Sequence, residues 1–313
     1  MLTLAGYENL MPIHHSENSR VYRAQRVSDK PDGIATAYRQ SVILKFLNRE
    51  YPTPEQIRRY KQEYNLIYQL DSPGIIKAYH LEEWQRSYVI ILEDFGAIAL
   101  KQWLQDREGL SLADFLQIAI AITDSLGQIH AQNIIHKDIN PANIVINPKT
   151  QHLKIIDFGI STQLSREKPT LKNPNVLEGT LPYISPEQTG RMNRGLDYRT
   201  DFYSLGVSFY ELLTGTVPFT STDALELVHC HIAKMPLALE NREEIPRILS
   251  DIVLKLMAKN AEDRYQSAWG LKADLETCLT QRSATGKIEP FPLGLQDISD
   301  RFQIPQKLYG REA

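Results

Sequence analysis

The chain has 313 residues, with 35 basic and 38 acidic side chains, a formal net charge of -3 and 42% hydrophobic residues. It exceeds the size at which one core usually stops growing, so two lobes or two domains are expected, and the near balance of charge argues against a nucleic-acid partner. Only Cys230 and Cys278 occur, which argues against a disulfide scaffold and for packing thiols in a reducing compartment.

The N-terminus, "MLTLAGYENL", lacks the basic start and long apolar stretch of a signal peptide. The most apolar run, "FLQIAIAI", is too short to span a bilayer, so the expectation is a cytoplasmic protein without a membrane partner. In the first third, "SVILKFL" and "YVIILED" read as strands, rich in Val and Ile. Between them Thr53 suits a helix N-cap, Pro54 the first helical position and Gln56 a capping box, ahead of "IRRYKQEYNLIYQL". This helix is expected to reach about Leu70 and to stop at "DSPG".

From Ser111, which forms a second cap with Asp114, Leu112, Phe115, Ala119, Ile122, Leu126 and Ile129 recur at helical spacing. Two short strands, "NIVIN" and "LKIID", flank the turn "PKTQ". Helical patterns then dominate: "TDFYSLGVSFYELLTG", "ALELVHCHIA", "RILSDIVLKLMAKN" and "QSAWGLKADLETCL". Strands followed by helices predict an α+β protein of two lobes. From residue 283 the period is lost and three prolines appear, which reads as a linker, and no internal repeat is found.

Taken singly, Lys45 at a strand end and Glu63 on an amphipathic helix are ordinary surface residues. Asp157 in "IIDFGI", and Asp138 with Asn143 in "HKDINPAN", differ, because oxygen donors beside strand ends are what Mg²⁺ with a nucleotide requires. Lysine on a strand, glutamate on the next helix, H-x-D-x-x-x-x-N and D-F-G then follow in the order of the protein-kinase signature.

The chain therefore resembles a eukaryotic-type Ser/Thr protein kinase domain over roughly Tyr7 to Thr280. "GTLPYISPEQ" is similar to the segment that ends in A-P-E, and Asp201 to the buried aspartate that braces the catalytic loop. Arg264 matches the family's partner of the A-P-E glutamate, here Glu187. The resemblance implies a strand-rich N-lobe over 1–95 with one main helix, a mostly helical C-lobe over 96–282, and a linker over 283–313. It implies ATP and Mg²⁺ as cofactors. Lys45, held by Glu63, would grip the α- and β-phosphates, Asn143 and Asp157 would hold Mg²⁺, and Asp138 would orient the acceptor hydroxyl. His136, Lys137, Phe158, Gly159 and Thr180 complete the motifs. Leu92, Glu93 and Phe95 fall at the hinge that meets adenine, while Ile13, Val21, Leu44 and Val145 fall at the apolar walls around the base.

Three departures stand out. His14, Ser16 and Ser19 occupy the three glycine positions of the phosphate-covering loop, so the loop is expected to be stiffer or further from phosphate. Ser16 and Ser19 could donate hydroxyls in place of backbone amides, whereas the adjacent His14 and His15 point apart and make a poor metal pair. Asn140 stands where Ser/Thr members carry a lysine, a loss that can cost on the order of 3 kcal/mol, part of which the amide recovers. Lys137 stands in for arginine and cannot make a bidentate grip on phosphate, which predicts weak dependence on phosphorylation at Ser161, Thr162, Ser165 or Thr170.

Gly179 with Thr180 resembles Ser/Thr specificity, and so implies protein substrates. "HKDINPANI", "SENSRVYRA" and "FPLGLQDISDRFQIPQKLYGRE" resemble the N-terminal kinase domain of large bacterial, especially cyanobacterial, hybrids. In these an AAA-like ATPase domain, a GAF sensor and a histidine kinase follow, which implies a piece of a longer chain or a short relative. Two other readings stay open. One is a pseudokinase-like nucleotide-binding or scaffold domain regulating an adjacent module, suggested by the missing glycines and Asn140. The other is a small-molecule kinase, disfavoured by "SPE" and Arg264.

Overall fold

The computed structural model describes residues 4–16, 18–28, 38–48, 51–105, 107, 109–163, 178–192, 195–239 and 245–298. Its N-terminal lobe is a five-stranded antiparallel sheet of β1 (Tyr7–His15), β2 (Ser19–Ser28), β3 (Tyr38–Leu47), β4 (Ala78–Trp84) and β5 (Ser87–Glu93). The spatial order is β1-β2-β3-β5-β4. One helix, α1 (Pro54–Gln69), joins β3 to β4, and its start is the expected capping box. Thr53 Oγ1 accepts from the Gln56 amide at 3.2 Å, and Gln56 Oε1 accepts from the Thr53 amide at 2.9 Å.

Strand alternation decides what β3 contributes to each face. Lys45 pairs with Val21 across β2 and with Ile90 across β5, so these share the face toward α1 and the C-lobe. Val42, Leu44 and Phe46 point the other way and form an outer cluster with Ala24, Val89, Ile91 and Tyr7. Leu44 is therefore not a wall of the nucleotide cleft, contrary to the expectation from the sequence. The residue on the Lys45 face is its other neighbour, Ile43, which packs on the main core.

The C-terminal lobe holds the short β6 (Ile98–Ala99), α2 (Leu100–Gln105) and the long α3 (Leu112–Ala131). Then come β7 (Ile134–Ile135), β8 (Ile144–Ile146), β9 (Leu153–Ile155) and β10 (Thr162–Gln163). Finally α4 (Arg199–Thr214), α5 (Ala224–Ala233), α6 (Arg247–Leu256) and α7 (Ala268–Thr285) complete the lobe. β6, β8 and β9 form one small sheet, and β7 pairs with β10. At 20 residues α3 is long and apolar enough to cross a membrane, unlike the shorter run read in the sequence. More than half of that stretch is buried, and α3 packs as a core helix against α7.

The lobes are joined behind the site as well as through residues 94–97. Ile76 N donates to Ile155 O at 3.1 Å and Ile155 N to Gly74 O at 2.9 Å, which seats the end of α1 on the C-lobe. Gly74 is required there, because a Cβ would lie 1.9 Å from Ser125 Oγ. The segment expected to be a linker from residue 283 begins inside α7, and residues 286–298 fold back on the lobe. Asp297 accepts from the amides of Gln266 and Ser267, both at 2.8 Å, while Phe291 and Leu293 pack on the core. The segment shows no period because caps and turns hold it, not an apolar stripe.

Candidate active site

Lys45, on β3, is drawn toward two carboxylates. Its Nζ lies 2.5 Å from Glu63 Oε1 on α1 and 2.9 Å from Asp157 Oδ1, which follows β9. The Tyr60 hydroxyl, one turn before Glu63, donates to the Lys45 carbonyl and fixes its backbone. Burial works against the ammonium, but Asp157 and Glu63 together push its pKa above the usual lysine range. The attraction of Lys45 holds Asp157 below the usual carboxylate range, whereas burial lifts Glu63 against the same ammonium. Asp157 remains the accessible member, with 43% of its side chain exposed, and opens on a cleft of about 750 Å³.

The catalytic loop lies across this cleft. Asp138 Oδ2 accepts from Asn143 Nδ2 at 2.8 Å, and Oδ1 from the Thr180 amide at 2.9 Å, so both oxygens have fixed directions. Asn143 also donates to the Asp138 carbonyl at 2.9 Å. Asp201 braces the loop from α4, accepting from the amides of His136 at 2.9 Å and Lys137 at 2.7 Å and contacting His130 Nε2 at 2.8 Å. His136 Nε2 contacts the Ile156 carbonyl at 3.0 Å, and its ring stacks edge-on against buried Phe158 at 4.9 Å. The loops carrying the two acids are thus locked together.

Backbone strain accompanies this arrangement: Lys137 has φ 69° and Asp157 φ 65°, in the left-handed region. Gly159 follows Asp157 closely, and a Cβ there would come 3.2 Å from Asp157 Oδ1. Lys137 is buried, with Nζ donating to the Ile160 carbonyl at 2.8 Å. Glu187 and Arg264 form a bidentate pair at 2.6 and 2.9 Å deep under the site. Burial would raise the Glu187 carboxyl, but Arg264 holds it below its usual range.

Asn140 is buried and spends its amide within the loop. It donates to the Asp138 carbonyl at 3.1 Å and Thr180 Oγ1 at 3.4 Å, and accepts from the Ala142 amide at 2.9 Å. It shapes the loop that carries Asp138, and it is not among the residues lining the cleft. Ser16 and Ser19 do line it, yet their hydroxyls lie 3.2 Å from each other, and Ser16 Oγ accepts from the Ser19 amide at 3.0 Å. Asn48 ties the hairpin to the end of β3 by donating to the Ser16 carbonyl at 2.7 Å. The glycine-free loop is a stapled turn.

A family model described as a protein kinase domain matches residues 31–274. The chain belongs to the protein kinase family. It is similar to serine/threonine-protein kinase PrkC of Bacillus subtilis, 33% identical over 241 residues that cover 76% of this chain and 36% of that protein. It is also similar to serine/threonine-protein kinase PknB of Mycobacterium tuberculosis, 30% identical over 277 residues that cover 87% of this chain and 41% of that protein. A third relative is hybrid signal transduction histidine kinase G of Dictyostelium discoideum, 32% identical over 293 residues, covering 65% of this chain and 8% of that protein. The chain thus spans well under half of each of these relatives.

In this protein kinase domain the remaining expected residues lie on the strands and the connection between the lobes. Ile13 is half exposed on β1, Val21 shares the Lys45 face, Leu92 is buried at the end of β5, and Val145 lies between buried Ile144 and Ile146. With Phe95 they lie outside the residues that line the cavity beside Lys45 and Asp157. The Glu93 carboxylate accepts from the Lys77 amide at 2.7 Å and pairs with Lys154, and Phe95 O accepts from Asn147 Nδ2. Ser161 donates to the His136 carbonyl at 3.1 Å and Thr162 lies in β10, while Ser165 and Thr170 lie outside the described residues.

Sequence reasoning missed Asp94, whose buried carboxylate accepts from Arg23 at 2.7 Å, Ser41 at 2.6 Å and the Gly96 amide at 3.0 Å. It also missed Gln188, which donates to the Lys137 carbonyl at 2.8 Å. Among the described residues no cluster of three or more His, Cys, Asp or Glu could hold a metal by itself. The oxygen donors of Asp157 and Asn143 instead fit a hard cation that arrives with further oxygen ligands.

Proposed function

We propose that this domain is a Ser/Thr protein kinase that transfers the γ-phosphoryl group of Mg-ATP to a protein hydroxyl in bacterial signal transduction. The observation that carries this reading is the Lys45 ammonium held 2.5 Å from Glu63 and 2.9 Å from Asp157, across one cleft from Asp138. The names of the bacterial relatives support Ser/Thr substrates, and a cytoplasmic setting accords with the reading of two thiols without a disulfide.

In this mechanism Lys45 binds the α- and β-phosphates, and Glu63 keeps its ammonium from swinging away. Asp157 and the Asn143 amide oxygen would hold Mg²⁺, which supplies neutralisation of phosphate charge. Asp138 accepts a hydrogen bond from the incoming hydroxyl and takes its proton. Asn143 and the Thr180 amide restrict the carboxylate to the orientation that this transfer needs. Glu93 and Phe95 offer backbone groups to adenine, with Ile13, Val21, Leu92 and Val145 around the base. The lobes divide near residue 95, and the hybrid relative supports a setting in which other signalling domains follow in a longer chain.

The test is transfer of labelled phosphate from ATP with Mg²⁺, to the protein itself and to a basic acceptor mixture, compared with Asp138→Ala. The expected result is transfer that disappears in the variant. Equal background in both, with ATP still protecting the fold against heat, would replace the kinase reading by a nucleotide-sensing scaffold.

A further inference from the structure

Glu178 directly precedes Gly179 and Thr180, and it faces two cations from different lobes. Its carboxylate lies 3.5 Å from Arg59 Nη1 on α1 and 3.7 Å from Lys137 Nζ on the catalytic loop. The Lys137 side chain is 2% exposed and that of Glu178 16%, so the pair is largely out of water. A buried ammonium needs compensating charge, and the Glu178 carboxylate supplies it from one side while the Ile160 carbonyl accepts a hydrogen bond at 2.8 Å.

Both ends of this bridge lead to reacting groups. Arg59 and Glu63 are one helical turn apart and face the same side of α1, so a hold on Arg59 is a hold on the helix face that orients Lys45. Lys137 adjoins Asp138, and Thr180, two residues after Glu178, gives its amide to Asp138 Oδ1 at 2.9 Å. Gln188 Nε2 joins the strands of the bridge, donating to Lys137 O at 2.8 Å and to Glu178 O at 3.4 Å.

We propose that Glu178 is a built-in anion that clamps α1 to the catalytic loop and so assembles the Lys45–Glu63 pair without phosphorylation of the preceding segment. A carboxylate carries one charge where a phosphate carries about 1.5 to 2, which suits the compact point charge of lysine at position 137. Glu178 touches no substrate; it is a positioning residue. The inference rests on the kinase reading for its catalytic consequence but not for its structural one.

The experiment uses the full chain treated with phosphatase, its unmodified state checked by intact mass. Steady-state kinetics and hydrogen exchange of the α1 amides are compared for the parent, Glu178→Gln, Glu178→Asp and the Glu178→Gln/Lys137→Gln pair. The parent should keep kcat within about two-fold on dephosphorylation. Glu178→Gln should lower kcat about ten-fold with little change in KM for ATP, and hasten exchange in α1. Glu178→Asp should recover part of both, and the double variant should be no worse than the single, as for residues acting as one unit. Should Glu178→Gln fail to fold, Arg59→Gln at the exposed end of the bridge gives the same readouts. Unchanged exchange and kcat in Glu178→Gln, or loss of parent activity on dephosphorylation, would overturn the proposal. If the chain transfers no phosphate at all, faster α1 exchange in Glu178→Gln still supports the clamp and unchanged exchange still refutes it.

Discussion

Arg264 offers the sharpest test of how the C-lobe supports the site. All five guanidinium N–H groups are used: Nε donates to Ala258 O at 2.8 Å, Nη1 to Glu187 Oε1 and Arg199 O, and Nη2 to Glu187 Oε2 and Lys259 O. Both partners of the ion pair are buried, at 0% and 2% side-chain exposure. Arg264→Leu would leave the Glu187 carboxylate without its counter-ion in the core, an expected loss of about 3 to 5 kcal/mol. For a domain of this size that lowers the unfolding midpoint by about 5 to 8 °C. Arg264→Lys supplies three donors for five contacts and should fall between, near about 2 kcal/mol.

The sign of the pH dependence separates this account from simple loss of packing. In the parent the Glu187 pKa is depressed, so its stabilisation is complete above the unfolded value and is lost as pH falls through the folded one. In Arg264→Leu the buried, unpaired carboxyl has a raised pKa, so the deficit should be largest at pH 8 and shrink toward pH 5. Thermal unfolding at both pH values is the assay, with Arg264→Leu/Glu187→Leu as the control that removes both charges. A double variant as unstable as the single, or a single variant within 1 kcal/mol of the parent by the estimate above, would refute the reasoning.

Three other outcomes are expected. His231 is buried beside Tyr203 and Phe219, and burial, with Lys259 nearby, lowers its pKa to about 4. Its unfolded form takes up a proton first, so the domain should lose about 3 kcal/mol as pH falls from about 6.5 to about 4, and His231→Gln should flatten that part of a denaturant-measured profile. Asp94→Asn removes the charge that holds Arg23 and Ser41 against the hinge; it should raise KM for ATP by about three- to ten-fold while kcat changes little, a loss of ground-state binding. Gly270→Ala would bring a Cβ within 2.5 Å of the Asp297 backbone, displacing residues 286–298. Limited proteolysis should then cut that stretch much faster than in the parent.

What the sequence revealed follows from how tightly each task restricts residue type. Lys45, Glu63, Asp138, Asn143 and Asp157 were visible because chemistry allows few substitutes and their order is shared across the family. The start of α1 was visible because a capping box is a local device whose partners lie three residues apart. β1 and β2 were not, since β1 is largely exposed and its pairing with β2 shifts register twice. Leu44 could have been excluded by alternation alone: once Lys45 faces the cleft, its neighbour cannot. Asp94 and Glu178 are single acids with no pattern around them, and only the fold brings Arg23 and Arg59 to their sides.

The double contact of Lys45 has a consequence for how the cleft fills. Asp157 already owns a counter-charge in the lysine ammonium at 2.9 Å. A lone divalent ion at Asp157 would set a second positive charge beside that ammonium, and the like-charge repulsion opposes its binding. Phosphate oxygens arriving with the ion would offset that repulsion and give the ammonium further partners. On the proposed kinase reading, the cleft would thus take up charge in nearly neutral parcels, with cation and nucleotide together favoured over the cation by itself.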